Sequence, residues 1–204
     1  MKIAIIGAGN VGSALASGWR EQGHEVTFAL REGSASAEKV ATNGFTVTPV
    51  AKAGAADVIV LAVPFNAVQN AISDAGKLDG KIVVDATNPL TKALDLALGF
   101  NESGGEKVAA SLPEAKVVKA FNTTGAENMN KGRDFATSPM MPIASDDAEA
   151  KAVVSKLARD LAFEPVDAGP LSAARLLEPM ALFWIKQALT QNRGVDFAFA
   201  LTTR

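Results

Sequence analysis

The 204-residue chain has no cysteine. Disulfide frameworks and thiolate metal sites are therefore excluded, and the count is compatible with a reducing cytoplasm. His24 is the one histidine. A Ser-His-Asp triad needs an imidazole base, and a multi-histidine metal site needs several such ligands. His24 follows Gly23 at a helix-to-strand turn and reads as a solvated turn residue, so neither chemistry is expected. No charge sign predominates: 20 Lys and Arg stand against 22 Asp and Glu. That balance gives no electrostatic case for nucleic acid or an acidic membrane surface. No apolar window reaches the roughly 18 residues of a membrane helix. The apolar start "MKIAIIGAGN" is too short and too broken by glycine for a signal peptide. A cytoplasmic protein with small-molecule partners is expected, with no metal, nucleic acid or membrane among them.

Much of the rest is apolar. Hydrophobic residues make up 48% of the chain, enough for a substantial core in one ordinary domain. Short β-branched runs occupy 2–7, 25–30, 45–50, 57–63, 81–87, 116–122, 141–145 and 163–169. Several are almost continuously apolar, as strands covered on both faces are. Helical patterns fall at 10–22, 36–43, 66–75, 146–161 and 172–191. In the fourth, Ser145 reads as the cap, with Asp146, Asp147 and Glu149 in the first turn. Residues 91–114 show no clear period, and "LGFNESGGE" reads as a surface loop. The alternation predicts an α/β fold: a Rossmann-like, doubly wound, mostly parallel sheet of about eight strands. Residues 1–204 are read as a single nucleotide-binding domain, with 170–204 as a C-terminal helical extension.

The segment "IIGAGNVGSALA" carries Gly7, Gly9 and Gly12 directly after the first strand and at the start of a helix. In this G-x-G-x-x-G setting the first glycine allows a tight turn, the second a close approach to pyrophosphate and the third close helix–strand packing. Gly7, Ala8, Gly9, Asn10, Val11 and Gly12 are expected to hold the phosphates on the helix terminus. The second strand ends in Ala29 and Leu30, where NAD-binding proteins of this type place a ribose-binding carboxylate. Arg31 follows. Its guanidinium fork matches a phosphate, and Ser34 and Ser36 can add hydroxyl donors. A 2′-phosphate site, and hence NADP(H), is the expectation, with Glu32 the one neighbour that could serve a ribose instead.

Ligands of open α/β sheets lie beyond the carboxyl ends of the strands. Those ends supply Val63, Pro64 and Phe65, then Asn88 and Pro89, then Asn122, Thr123 and Thr124. Amides and hydroxyls suit a carboxamide and ring faces, and no side chain among them is a tunable general acid or base. These residues are expected to frame a nicotinamide and its acceptor. Further on, Leu176, Met180, Phe183, Trp184 and Ala188 fall near one helical stripe, as core packing, a subunit interface or a lid would require.

"IIGAGNVGSALA", "VVKAFNTTGAENM" and "VDAGPLSAARLLEPM" together resemble the NADP oxidoreductases that depend on the deazaflavin coenzyme F420. The nucleotide domain is also similar to the reductase domain of the mammalian membrane ferric reductases. The resemblance runs from the first strand to about Leu182. It implies one Rossmann-like domain with small helical additions, usually a homodimer, and hydride transfer between NADP(H) and a deazaflavin or a flavin (FMN or FAD). Arg31 matches one of the family's paired arginines, and Glu32 stands where the second would be. Asn122 falls where the deazaflavin enzymes carry a histidine, and "FNTT" is closer to the ferric reductase version.

Two other classes share the glycine motif. The β-hydroxyacid dehydrogenases and imine reductases add a large helical domain. The former also use a helical lysine with asparagine one turn on, where this chain has Lys186 and Thr190. A non-catalytic NADP-sensing module is the third reading. The nucleotide site makes a direct forecast. Arg31→Ala should weaken NADPH binding by about 1.5–3 kcal/mol and NADH binding far less, as measured by calorimetric titration. Equal weakening of both would remove Arg31 from the 2′-phosphate.

Overall fold

All eight β-branched runs become strands of one sheet: β1 (Lys2–Ile6), β2 (Glu25–Leu30), β3 (Thr46–Pro49), β4 (Val58–Leu61), β5 (Ile82–Asp85), β6 (Lys116–Lys119), β7 (Met140–Ala144) and β8 (Glu164–Gly169). The structure, a computed structural model, describes residues 1–202. Spatial order is β3-β2-β1-β4-β5-β6-β7-β8. Pairing is parallel from β3 through β6; β7 turns antiparallel to β6 at Lys119↔Ala144, and β8 runs parallel to β7. The order reverses between β1 and β4, which opens a crevice above their carboxyl ends.

Among the described residues six α-helices cover the two faces: α1 (Asn10–Glu21), α2 (Ser36–Thr42), α3 (Val68–Ala75), α4 (Gly104–Ser111), α5 (Ala148–Asp160) and α6 (Ala174–Ile185). One face packs Trp19 of α1 and Leu157 of α5 on Phe28, Phe121 and Met141. Trp19 meets Phe121 edge-on at 5.4 Å, and its indole N–H donates to the Leu157 carbonyl at 3.0 Å. The other face packs α3 and α4 on Ile59, Leu61 and Val83. Every residue of β4 is buried, as its unbroken apolar run requires when both faces are covered. Among the described residues no helix is long and apolar enough to cross a membrane.

Several expectations need correction. The segment read as a surface loop, 98–106, is one only to Ser103, and its last three residues open α4. Ser103 caps it by accepting from the Glu106 N–H at 3.2 Å and donating to the Glu106 carboxylate at 2.7 Å. The Ser-x-x-Glu spacing was a start signal, hidden by the Gly-Gly between. The cap of α5 is Asp147, which accepts from Ala150 N–H at 2.8 Å; Ser145 sits inside, donating to the Val117 carbonyl. His24 is not solvated. Its side chain is 8% exposed and lies 2.9 Å from Asp160 of α5. The apolar stripe of α6 is rotated from the expected one: Leu177, Ala181, Trp184 and Ala188 are buried, while Leu176 and Phe183 are 70% and 55% exposed. The C-terminal extension is helical only through a final turn, Lys186–Thr190. It then returns irregularly, and Phe197 stacks on Trp184 at 5.0 Å. Its last two residues, 203 and 204, lie outside the described ones.

The strand ends are joined by buried charge. Lys119 of β6 has a fully buried side chain. Its ammonium reaches Asp85 of β5 at 2.9 Å, Glu178 of α6 at 2.9 Å and the Thr87 carbonyl at 2.6 Å. Those three acceptors take its three N–H donors. Asp85 also accepts from the Thr87 N–H and hydroxyl. Glu178 also accepts from the Gly104 and Gly105 N–H groups at 3.0 and 3.1 Å, at the positive end of α4. A side chain at Gly104 would press on Phe65 and on Glu178, so the paired glycines let the α4 terminus approach this carboxylate. One turn before Glu178 on α6, Arg175 grips Glu106 through two bonds of 2.9 and 2.6 Å.

Breaking a buried pair by removing one partner costs about 3–5 kcal/mol. Glu178→Ala should lose stability in that range by urea denaturation; a loss below about 1 kcal/mol would mean that Asp85 alone suffices for Lys119. A second forecast concerns pH. Glu106 is held below the usual carboxylate range by Arg175, Asp147 by the Ala150 N–H and then Lys116, and Asp167 by Lys151. Their folded values are depressed, so their contribution is complete above the unfolded values and is lost as pH falls through the folded ones. Stability measured from neutrality downward should hold to about pH 5 and decline below about pH 4.

Candidate functional site

The turn between β1 and α1 is shaped by two glycines that the protein itself requires and one that it does not. Gly7 has φ +113°, and a Cβ there would run into the Ala62 carbonyl beyond β4. A Cβ on Gly12 would strike the Gly7 carbonyl oxygen, so Gly12 lets α1 lie against the turn. Gly9 differs. A Cβ there meets no protein atom within 4 Å. Gly9 is the N-cap of α1, no side chain caps the helix, and its first turn carries no acid. The leading N–H groups of a helix lack intrahelical partners and carry its positive dipole end. Gly9 and Asn10 are exposed, with Val11 half-buried behind them, so this terminus is open to solvent and of the kind that can seat an anion.

Beside it lies a cleft of about 190 Å³ at the point where strand order reverses. Gly7, Ala8, Leu30, Arg31, Ser34, Val63 and Pro64 all line it, so the structure brings these sequence-selected residues to one place. Its floor is apolar, from Ile6, Ala29, Val50 and Ala71. Arg31, Ser34 and Asp74 supply its polar groups. Arg31 is not a free loop cation: its Nε donates to Asp74 of α3 at 2.7 Å. Sequence reasoning missed Asp74, because only the packing of α3 brings it to β2. Glu32 is exposed and lines an outer continuation of the cleft with Arg31 and Asp74. Ser36 opens α2, where its N–H faces the Ser34 hydroxyl at 3.4 Å.

At the later strand ends Asn88 and Asn122 form a pair. Asn88 Nδ2 donates to the Asn122 carbonyl at 2.9 Å, and Asn122 Nδ2 donates to Asn88 Oδ1 at 3.0 Å and to the Leu177 carbonyl of α6 at 3.2 Å. Both donors of Asn122 are used, whereas its buried Oδ1 has no partner. The preceding residue, Phe121, is buried and held at φ 58°, a left-handed conformation that an aromatic side chain disfavours. Thr123 and Pro89 are buried as well. Phe65 lies half-buried against the start of α4.

Residues 2–89 match the family model described as NADP oxidoreductase, coenzyme F420-dependent. Among solved structures, a protein of Arthrobacter sp. FB24 described as an F420-dependent NADP reductase is 30% identical, with TM-score 0.91 and 100% of each chain covered. Metalloreductase STEAP3 of Rattus norvegicus is 31% identical over 181 residues, which are 89% of this chain and 36% of that protein. The NADP(+) ketol-acid reductoisomerase of Arthrobacter sp. (strain FB24) is 43% identical over 101 residues, 49% of this chain and 27% of that enzyme. The chain thus spans about a third or less of these curated relatives. Identity of 30% across the whole of both chains shows that the protein belongs to the family of coenzyme F420-dependent NADP oxidoreductases.

Proposed function

We propose that the protein binds NADP(H) in the cleft between α1 and α3 and passes a hydride between the nicotinamide and a deazaflavin or flavin ring. The observation that carries this reading is Gly9: it stands at the uncapped, acid-free start of α1, and a Cβ there meets no protein atom, which leaves room for a ligand. The uncapped start of α1 suits the pyrophosphate, held by the N–H groups of Asn10, Val11 and Gly12. Ile6, Ala29, Val50 and Ala71 suit an adenine face, and Arg31 with Ser34 suits a 2′-phosphate. Val63, Pro64, Phe65, Asn88, Pro89, Asn122 and Thr123 are assigned to the nicotinamide end. The unpaired Oδ1 of Asn122 matches an N–H donor such as a carboxamide offers. The nicotinamide supplies the hydride chemistry, and the chain positions it.

Lys186 supports this reading over a hydroxyacid dehydrogenase. It is spent on Asp95 at 3.0 Å, in a pair with both side chains exposed. The outward apolar residues Leu176, Phe183 and Leu189 support a homodimer built on α6 and the turn that continues it. The whole chain is read as one NADP-binding unit, and its freedom from cysteine fits a cytoplasmic setting.

Gly9→Val separates ligand space from folding space. Its thermal midpoint should fall by no more than about 4 °C, the cost of a poorer N-cap, because a Cβ there meets no protein atom. NADPH affinity should fall at least about tenfold by calorimetry. Unchanged affinity would sink the phosphate assignment. The parent protein should also oxidise NADPH with F420, FMN or FAD as acceptor, followed by absorbance. Tight NADPH binding without transfer to any of the three would favour the sensing module.

A further inference from the structure

Asp74 is poorly placed for the electrostatics of its own helix. It sits in the last turn of α3, which contains no basic residue. There a carboxylate opposes the negative end of the helix dipole. Its partner is Arg31, and the pair reaches from α3 to the end of β2 beside the nucleotide cleft. Both side chains are substantially exposed, so the pair does little for stability.

The local charge count is unusual for a phosphate site. Of the residues lining the cleft and its outer continuation, Arg31 is the cation, and Asp74 and Glu32 are the anions. A phosphomonoester brings close to two further negative charges. It would address the same guanidinium whose Nε Asp74 already engages; the Nη donors stay open to it, so the carboxylate opposes the phosphate by neutralising the guanidinium charge and by like-charge repulsion. A ribose hydroxyl, by contrast, is a donor that a carboxylate can accept.

We propose that Asp74 is a specificity-determining residue, which competes with the 2′-phosphate for Arg31 and holds the preference for NADPH over NADH below what Arg31 alone would give. This rests on the NADP(H) reading of the cleft.

The test is calorimetric titration of NADPH and NADH into the parent, Asp74→Asn, Arg31→Ala and the double variant. Asp74→Asn preserves shape and removes charge. At low salt it should tighten NADPH by about five- to tenfold and change NADH by less than about twofold. The gain should shrink near 1 M salt, where the screening length is about 3 Å. It should also vanish in the Arg31→Ala background. Asp74→Ala should move NADPH in the same direction. NADPH binding that is unchanged or weaker in Asp74→Asn, while Arg31→Ala still lowers it selectively, would overturn the proposal alone and make Asp74 an orienting partner of Arg31. An Arg31→Ala variant with an unchanged NADPH-to-NADH ratio would overturn the reading of the cleft, and this proposal with it.

Discussion

The ammonium of Lys119 is the point at which four elements meet. It is buried, and its three acceptors come from β5, from the segment just beyond β5 and from α6. Through Glu178 the same cluster takes up two N–H groups at the start of α4. Each charge is costly to bury and is tolerated because its partners are complete. The cluster therefore fixes where β5 ends, and with it Asn88; it fixes α6, and with it the Leu177 carbonyl that holds Asn122. Two segments that look unrelated in the chain, "SGGE" and "ARLLE", are the two halves of this contact.

The two ends of the site are built on different principles. At the turn between β1 and α1 the protein withholds side chains. Gly7 and Gly12 let backbone approach backbone, while Gly9 leaves open space before an uncapped helix. At the strand ends of β5 and β6 the protein supplies side chains and locks them to one another, down to a left-handed Phe121. Such strain persists only where the surroundings over-determine the conformation. Here Trp19 and Met141 provide that enclosure: the indole packs on the Phe121 ring, and the Met141 sulfur receives its N–H.

Elements whose signal is local were readable. The eight strands follow from β-branched runs, and α1 follows from its glycine-led start. The errors share a cause. α4 was hidden because Gly-Gly is a helix breaker by propensity, whereas here it is the price of bringing a helix terminus onto Glu178. The face of α6 was misjudged because its composition is apolar nearly all round, so periodicity could not choose between Leu176 and Leu177. His24 looked solvated because nothing near it in sequence is Asp160, which the α5 packing delivers.

The glycine motif, the missing carboxylate after β2 and the alternation of elements are properties of the sequence by itself. They determined the sheet and the turn that opens α1, because each acts over a few residues or through a repeating period, while the family resemblance also needed "VVKAFNTTGAENM" and "VDAGPLSAARLLEPM". Tertiary structure alone decided which charges meet. Arg31 and Asp74 are 43 positions apart, and Asp85 and Lys119 are 34 apart. No local pattern records such distances. They are set by the order of strands in the sheet and by the need of every buried charge for a partner.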